Sequence, residues 1–190
     1  IRCLVEEKLD ESLAQYSKKG LTVPQIKKIG QEYLKILQYI HSRGFVHNDI
    51  KPGNLMLKHE GKDIKYFIID FGITHRYTME GKPHKDEGTP IYKSVFAEEV
   101  AVNKERKKVS REEDVESLGY VLLELCNGSL PWSDKDSPVG SRLNSKLKAD
   151  EYAEKIEDPN LRTAVIQMIS GHKKDFTSEP EYKKIIKLLQ

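Results

Sequence analysis

Cysteine is almost absent. Cys3 and Cys126 are the only two in 190 residues, far apart and without a C-x-x-C partner, so they build neither a disulfide framework nor a cysteine zinc site. Charge of one sign is equally scarce: 32 Lys/Arg against 30 Asp/Glu leave a formal +2, which argues against a nucleic-acid or membrane-surface binder held by bulk electrostatics. No apolar run approaches the roughly 18 residues of a membrane span. Neither repeats of roughly 20 to 50 residues nor low-complexity tracts occur. His41, His59, His75, His84 and His172 show no metal-ligand spacing with Cys or carboxylates, so satisfied or exposed imidazoles are expected. The opening IRCLVEEKLDESL has the pattern of neither a signal nor a transit peptide. Beginning at Ile1, it reads as a cut end, and the reducing cytoplasm or nucleus is the expected compartment. What is present is 37% hydrophobic residues, enough for one core of ordinary domain size.

Periodicity outlines a mostly helical chain. Residues 1–5 form a short strand candidate, and a short helix is expected over residues 12–16. Thr22 as a cap and Pro24 just inside open a long helix whose Ile26, Ile29, Leu34, Leu37 and Ile40 recur at helical spacing, with Gly44 at its end. FVH, NLMLK and IKYFIID are β-type runs, the last two joined by the turn-forming HEGKD, so one small sheet is expected between His47 and Asp70. Ser110 and Glu113 form a capping box ahead of VESLGYVLLELCNG, whose Val115, Leu118, Leu122 and Leu125 mark a second core helix. Asp158-Pro159 and the SEPE of residues 178–181 start two further amphipathic helices. The basic stretch 104–111 and the polar SDKDSPVGSRLNSK lack periodicity and read as loops.

Chemistry concentrates in His47-Asn48-Asp49-Ile50-Lys51-Pro52-Gly53-Asn54, followed after the hairpin by Asp70-Phe71-Gly72. Transfer of a γ-phosphoryl group needs a carboxylate near the acceptor hydroxyl, oxygen ligands for Mg²⁺ and a cation near the moving phosphate. Asp49 can accept the hydroxyl proton, Lys51 can lie over the γ-phosphate, and Asn54 with Asp70 can supply hard oxygens to Mg²⁺. A hairpin between Asn54 and Asp70 returns its two ends to the same place.

This loop and D-F-G together resemble the catalytic core of the protein kinases. Gly88-Thr89-Pro90-x-Tyr92 is similar to their substrate-binding loop, which implies that Thr89 contacts Asp49 and Lys51 and that the acceptors are Ser or Thr. Asp114, in EDVESLGY, resembles the kinase Asp that starts a central helix and accepts hydrogen bonds from the catalytic-loop backbone; the plain alternative is a solvated carboxylate at a helix N-terminus. REEDVESLGYVLLELCNGSLPW is especially close to the casein kinase 1 and vaccinia-related group, which also lacks Ala-Pro-Glu at the positions of Ser94, Val95 and Phe96. The resemblance implies an α+β, mostly helical fold, a kinase C-terminal lobe with a small catalytic β-sheet. It implies ATP and Mg²⁺ as cofactors and proteins bearing Ser or Thr as substrates, with neither nucleic acid nor membrane as partner.

The departures matter. Asn48 replaces the Arg that in many kinases reads a phosphorylated activation loop, so that switch is not expected. Ile91 stands where casein kinase 1 carries an anion-binding Arg, so a preference for pre-phosphorylated substrates does not carry over. Lys104, Arg106, Lys107 and Lys108 read as a solvated charge run. Before His47 there is neither a G-x-G-x-x-G loop nor a V-A-x-K strand. The resemblance then makes residues 1–190 a partial kinase domain in which 1–5 are the last strand of the small lobe. Residues 6–9 become the hinge, with Glu7 and Leu9 facing adenine and Met56 and Ile69 forming the apolar floor beneath it, or else plain core. On this reading apolar surface near Leu4, Met56, Ile69 and Phe71 is expected to self-associate or meet a partner. A non-catalytic pseudokinase or truncated docking module is the alternative: the missing small-lobe motifs favour it, and the intact Asp49, Lys51, Asn54 and Asp70 argue against it.

Overall fold

The computed structural model describes residues 7–77, 87–103, 108–134, 137–174 and 177–190. The expected strand over 1–5 with Leu4, the hinge residue Glu6, His84, and Lys104, Arg106 and Lys107 all lie outside the described residues.

Three helices make the body: α2 (Val23–Ser42), α4 (Arg111–Asn127) and α7 (Pro159–Ile169). Each begins where its sequence announces a start. Thr22 and Gln25 form a capping box ahead of Pro24, Ser110 and Glu113 form another, and the Asp158 side chain accepts from the Leu161 amide at the head of α7. α4 is buried nearly all round, and Leu118, Val121 and Leu122 meet Ile29, Tyr33 and Leu37 of α2 within one core. At Gly119 a Cβ would lie 2.8 Å from the Ile169 side chain and 2.9 Å from Met168 Cβ. Only a glycine lets α4 and α7 approach so closely. α8 (Tyr182–Leu188) closes the far side through Tyr182 and Ile185, while α1 (Leu13–Tyr16) covers the other end through Leu13.

Against this body lie two small sheets where one was expected. β3 (Leu55–Glu60) and β4 (Asp63–Ile68) form the hairpin, in the register Leu55↔Ile68 to Glu60↔Asp63, and β1 (Glu11–Ser12) pairs with β3 on its other edge. β2 (Phe45–Val46) instead pairs with β5 (His75–Arg76) as a separate ribbon. Strands of two residues carry no alternation, so the sequence pattern merges them with the hairpin.

A second correction concerns SDKDSPVGSRLNSK. Its latter half is helix α5 (Val139–Lys146), followed by α6 (Ala149–Ala153). The periodicity was invisible because this helix buries Arg142 and Lys146 instead of apolar side chains. α3 (Val95–Asn103), between the substrate-loop motif and α4, buries Glu98 as well as Val95, Ala97 and Val100. Arg111, assigned above to the basic loop, is the first residue of α4.

Candidate active site

The loop 47–54 runs between β2 and β3 and is pinned from below by α4. Asp114, in the first turn of that helix, is 1% exposed, which overturns the solvated-carboxylate reading. Its Oδ2 accepts from the His47 amide (2.7 Å) and from His41 Nε2 (2.8 Å), and its Oδ1 accepts from the Asn48 amide (2.8 Å). Burial works to raise its pKa, but the bonds from His41 and the loop backbone outweigh that and hold it below the usual carboxylate range. His41 is in turn bonded through Nδ1 to the Tyr182 hydroxyl, so α2, α4, α8 and the loop meet at one carboxylate. His41 belonged to the histidines expected to be merely satisfied; it is satisfied, by the group that holds the loop.

Above this anchor the expected residues converge on Asp49, itself buried. Lys51 Nζ donates to Asp49 Oδ2 (2.6 Å) and to Thr89 Oγ1 (3.0 Å). Thr89 donates to Asp49 Oδ1 through both its hydroxyl (2.7 Å) and its amide (3.1 Å). Asn54 Nδ2 donates to the Asp49 carbonyl (2.9 Å) and to Oδ2 (3.0 Å). Partial burial pushes the Asp49 carboxyl up, and the hydrogen bonds from Lys51, Thr89 and Asn54 pull it further down, so it stays ionised at neutral pH.

Asn48 and Asp70 both occupy the left-handed region, at φ 67° and 65°, which Asn and Asp tolerate better than other side chains. Asn48 turns its amide back onto the Ile73 carbonyl (3.1 Å), tying the stretch after D-F-G to the loop. Gly88, at φ 93°, lies so close to the Asn48 carbonyl that a Cβ would sit 2.7 Å from that oxygen. The two segments carrying Asp49 and Thr89 therefore touch through backbone. His75 Nε2 and Glu87 Oε2 lie 2.9 Å apart beside this crossing.

The hairpin brings Asn54 and the D-F-G segment together: the Ile69 amide donates to the Asn54 carbonyl (3.0 Å), one residue before Asp70. Asp70 is exposed, with Oδ1 accepting from the Gly72 amide (3.3 Å). Because the NH₂ of Asn54 is committed to Asp49, its Oδ1 is the atom that would meet a cation, with the Asp70 carboxylate as the second hard oxygen, a donor set suited to Mg²⁺. His47, completely buried, donates from Nε2 to the Ile69 carbonyl (3.0 Å), accepts the Asp49 amide at Nδ1 (3.2 Å), and packs edge-on to Phe71 at 4.9 Å.

Of the residues assigned to adenine, Met56 pairs with Phe67 across the hairpin, on the face opposite the buried Leu55 and Leu57, and is half-buried like Ile69. Both are thus outside the sealed core. Glu7 is exposed and paired with Lys58, while Leu9 is half-buried. Neither reaches the Asp49 cluster through any described hydrogen bond. Phe71 is 50% exposed.

Beside the cluster, a cleft of about 320 Å³ is lined by Ala14, Pro52, Tyr92 and Glu124 among others, with the Tyr92 hydroxyl donating to Glu124 Oε2 (2.7 Å). Cys126 is half-buried, and burial pushes its thiol up to about 12, which leaves it unreactive.

A family model for the protein kinase domain matches residues 2–189. The chain belongs to the protein kinase family.

Proposed function

We propose that this protein is a serine/threonine protein kinase of the casein kinase 1-like type, transferring the ATP γ-phosphoryl group to protein hydroxyls. The observation that carries this reading is the convergence of Lys51, Asn54 and Thr89 on a single ionised carboxylate, Asp49. An acceptor hydroxyl placed at Asp49 is oriented by it and gives up its proton to it as the phosphoryl group moves across. Lys51, already beside Asp49, supplies positive charge where the transferring oxygens accumulate negative charge. Mg²⁺, held by Asn54 and Asp70, would neutralise the triphosphate. Met56 and Ile69 provide an apolar floor on which adenine can lie, and the hinge role assigned to Glu7 and Leu9 rests on the family resemblance alone. The Lys51–Thr89 contact favours Ser and Thr acceptors, and REEDVESLGY with GSLPW supports the casein kinase 1-like placement. The intact cluster of Asp49, Lys51, Asn54 and Thr89 weighs against the non-catalytic reading.

Asp70→Asn in the full-length protein is the test. Asp70 is exposed, so the variant should melt within about 1 °C of wild type, while turnover on Ser/Thr peptides falls by about 100-fold or more through lost metal charge stabilisation. Unchanged turnover refutes the metal-site assignment. A wild-type protein that phosphorylates tyrosine peptides in preference refutes the acceptor class.

A further inference from the structure

α5 poses a physical question. Its sequence VGSRLNSK offers little to a hydrophobic core, yet Lys146 is 0% exposed. A buried ammonium is costly unless each of its three N–H groups finds an acceptor. All three do: Nζ donates to the Pro90 carbonyl (2.8 Å), the Lys93 carbonyl (2.7 Å) and Glu98 Oε1 (2.9 Å). Burial lowers its pKa to about 8, against the pull of Glu98, which leaves it charged at neutral pH. The face of Tyr120 lies 5.6 Å from Nζ. Glu98 is also shared by Arg142 Nε (3.3 Å), whose Nη1 donates to the Ser137 carbonyl (2.5 Å). Between the two carbonyls that Lys146 takes lies that of Ile91, and another buried donor, Trp132 Nε1, bonds to it (2.8 Å).

The stretch held in this way begins at Thr89. The Thr89 carbonyl accepts from the Tyr92 and Lys93 amides (2.9 and 3.0 Å), so residues 89–93 form one tight turn. At its front edge the Thr89 side chain bonds Asp49 and Lys51; along its back, the carbonyls of Pro90, Ile91 and Lys93 are gripped by Trp132 and Lys146. We infer that Lys146 and Trp132 are positioning residues that fix the acceptor-binding turn from behind, so that a permanently buried ammonium, independent of any added phosphate, sets where Thr89 meets Asp49. The inference deepens the acceptor-site reading above and rests on it only for its kinetic readout.

A merely structural ion pair would, when broken, loosen α3, α4 and α5 together without singling out the turn. The two roles separate by hydrogen exchange and kinetics on the full-length protein carrying Lys146→Met. Exchange of the Tyr92 and Lys93 amides should accelerate by about 10-fold or more, while α2 and α7 amides keep their rates. KM for a Ser/Thr peptide should rise by about 10-fold with KM for ATP within about twofold of wild type. Trp132→Phe, which keeps an aromatic ring but loses the donor, should accelerate the same two amides by about threefold, and decides the matter if Lys146→Met does not fold. Unchanged exchange at residues 92 and 93 in either folded variant, or acceleration there no greater than that spread over α3, α4 and α5, overturns the positioning role. Absence of turnover in the wild-type protein would refute the proposed function, and the exchange comparison would still decide this one.

Discussion

Asp114→Asn changes one atom at the point where the catalytic loop is tied to the helical body. The carboxylate serves three donors: the amides of His47 and Asn48 and the ring of His41. An asparagine keeps one acceptor, so with its oxygen toward the Asn48 amide, its NH₂ must face the His47 amide and His41. The imidazole can adapt by exchanging its tautomer, because its other nitrogen faces a hydroxyl, Tyr182, that either donates or accepts. The His47 amide cannot, and a buried N–H without a partner, formerly bonded to a charge, costs about 2–3 kcal/mol. For a chain of this size that lowers the unfolding midpoint by about 5–10 °C, at about 2–4 °C per kcal/mol. If half the loss is expressed as misplacement of Asp49, turnover falls about tenfold, at 1.36 kcal/mol per factor of ten. Calorimetry and peptide phosphorylation check the two parts. Because the native pKa of Asp114 is held below its unfolded value, its stabilisation is present above about pH 4 and is lost as pH falls through the native value; the variant should lack that acid dependence. A variant that melts and turns over like wild type would refute the anchoring argument.

Gly88→Ala must accept both φ 93° and a Cβ at 2.7 Å from the Asn48 carbonyl, so it should cost about 1–3 kcal/mol and displace Thr89, seen as a lower melting point and a loss of turnover larger than stability alone explains. Glu116 is buried, and burial raises its pKa to about 8, against the bonds it accepts from Tyr120 and the Val95 amide. The folded state therefore binds a proton that the unfolded state releases near pH 4.5, stability falls as pH rises from there to about 8, and Glu116→Gln should flatten this slope in melts across that window. With Asn48 in place of a phosphate-reading Arg and its amide bonded directly to Ile73, phosphatase treatment should leave peptide turnover within about twofold; its abolition would contradict the reading.

What was legible in the sequence and what was not divides along sequence separation. Asp49, Lys51 and Asn54 lie within six residues, and the hairpin that returns the chain to Asp70 is announced by HEGKD, so their meeting follows from local turn chemistry. α2, α4 and α7 were visible because each buries an apolar stripe whose period survives in the sequence. The left-handed backbone at Asn48 and Asp70 left no comparable trace, since Asn and Asp, although favoured in that conformation, also fill turns and loops of ordinary backbone. Asp114 was read by resemblance as the loop anchor and Glu113 as part of a capping box, but the sequence did not show that all three acids at residues 112–114 are buried and make different bonds. Glu112 pairs with Lys174, Glu113 holds Ser94 at the head of α3, and Asp114 holds the loop.

α5 shows the general reason for such misses. Polar periodicity carries no sign of burial until the complementary charge is known, and for Lys146 that charge is Glu98, on another helix and 48 residues away. The same separation makes the arrangement informative once seen. Removing ammonium and carboxylate together and substituting apolar groups would often stabilise a buried pair, yet such a replacement could not supply donors to the Pro90 and Lys93 carbonyls. A triple variant Glu98→Leu/Arg142→Leu/Lys146→Met, which also removes the buried guanidinium that shares Glu98, thus separates two contributions: recovered stability relative to Lys146→Met alone would report relief of the buried charges that remain, and exchange at residues 92 and 93 that stays fast in that recovered protein would report the lost backbone clamp. If stability and slow exchange returned together, the lysine would be serving the fold and the carbonyls it touches would be incidental.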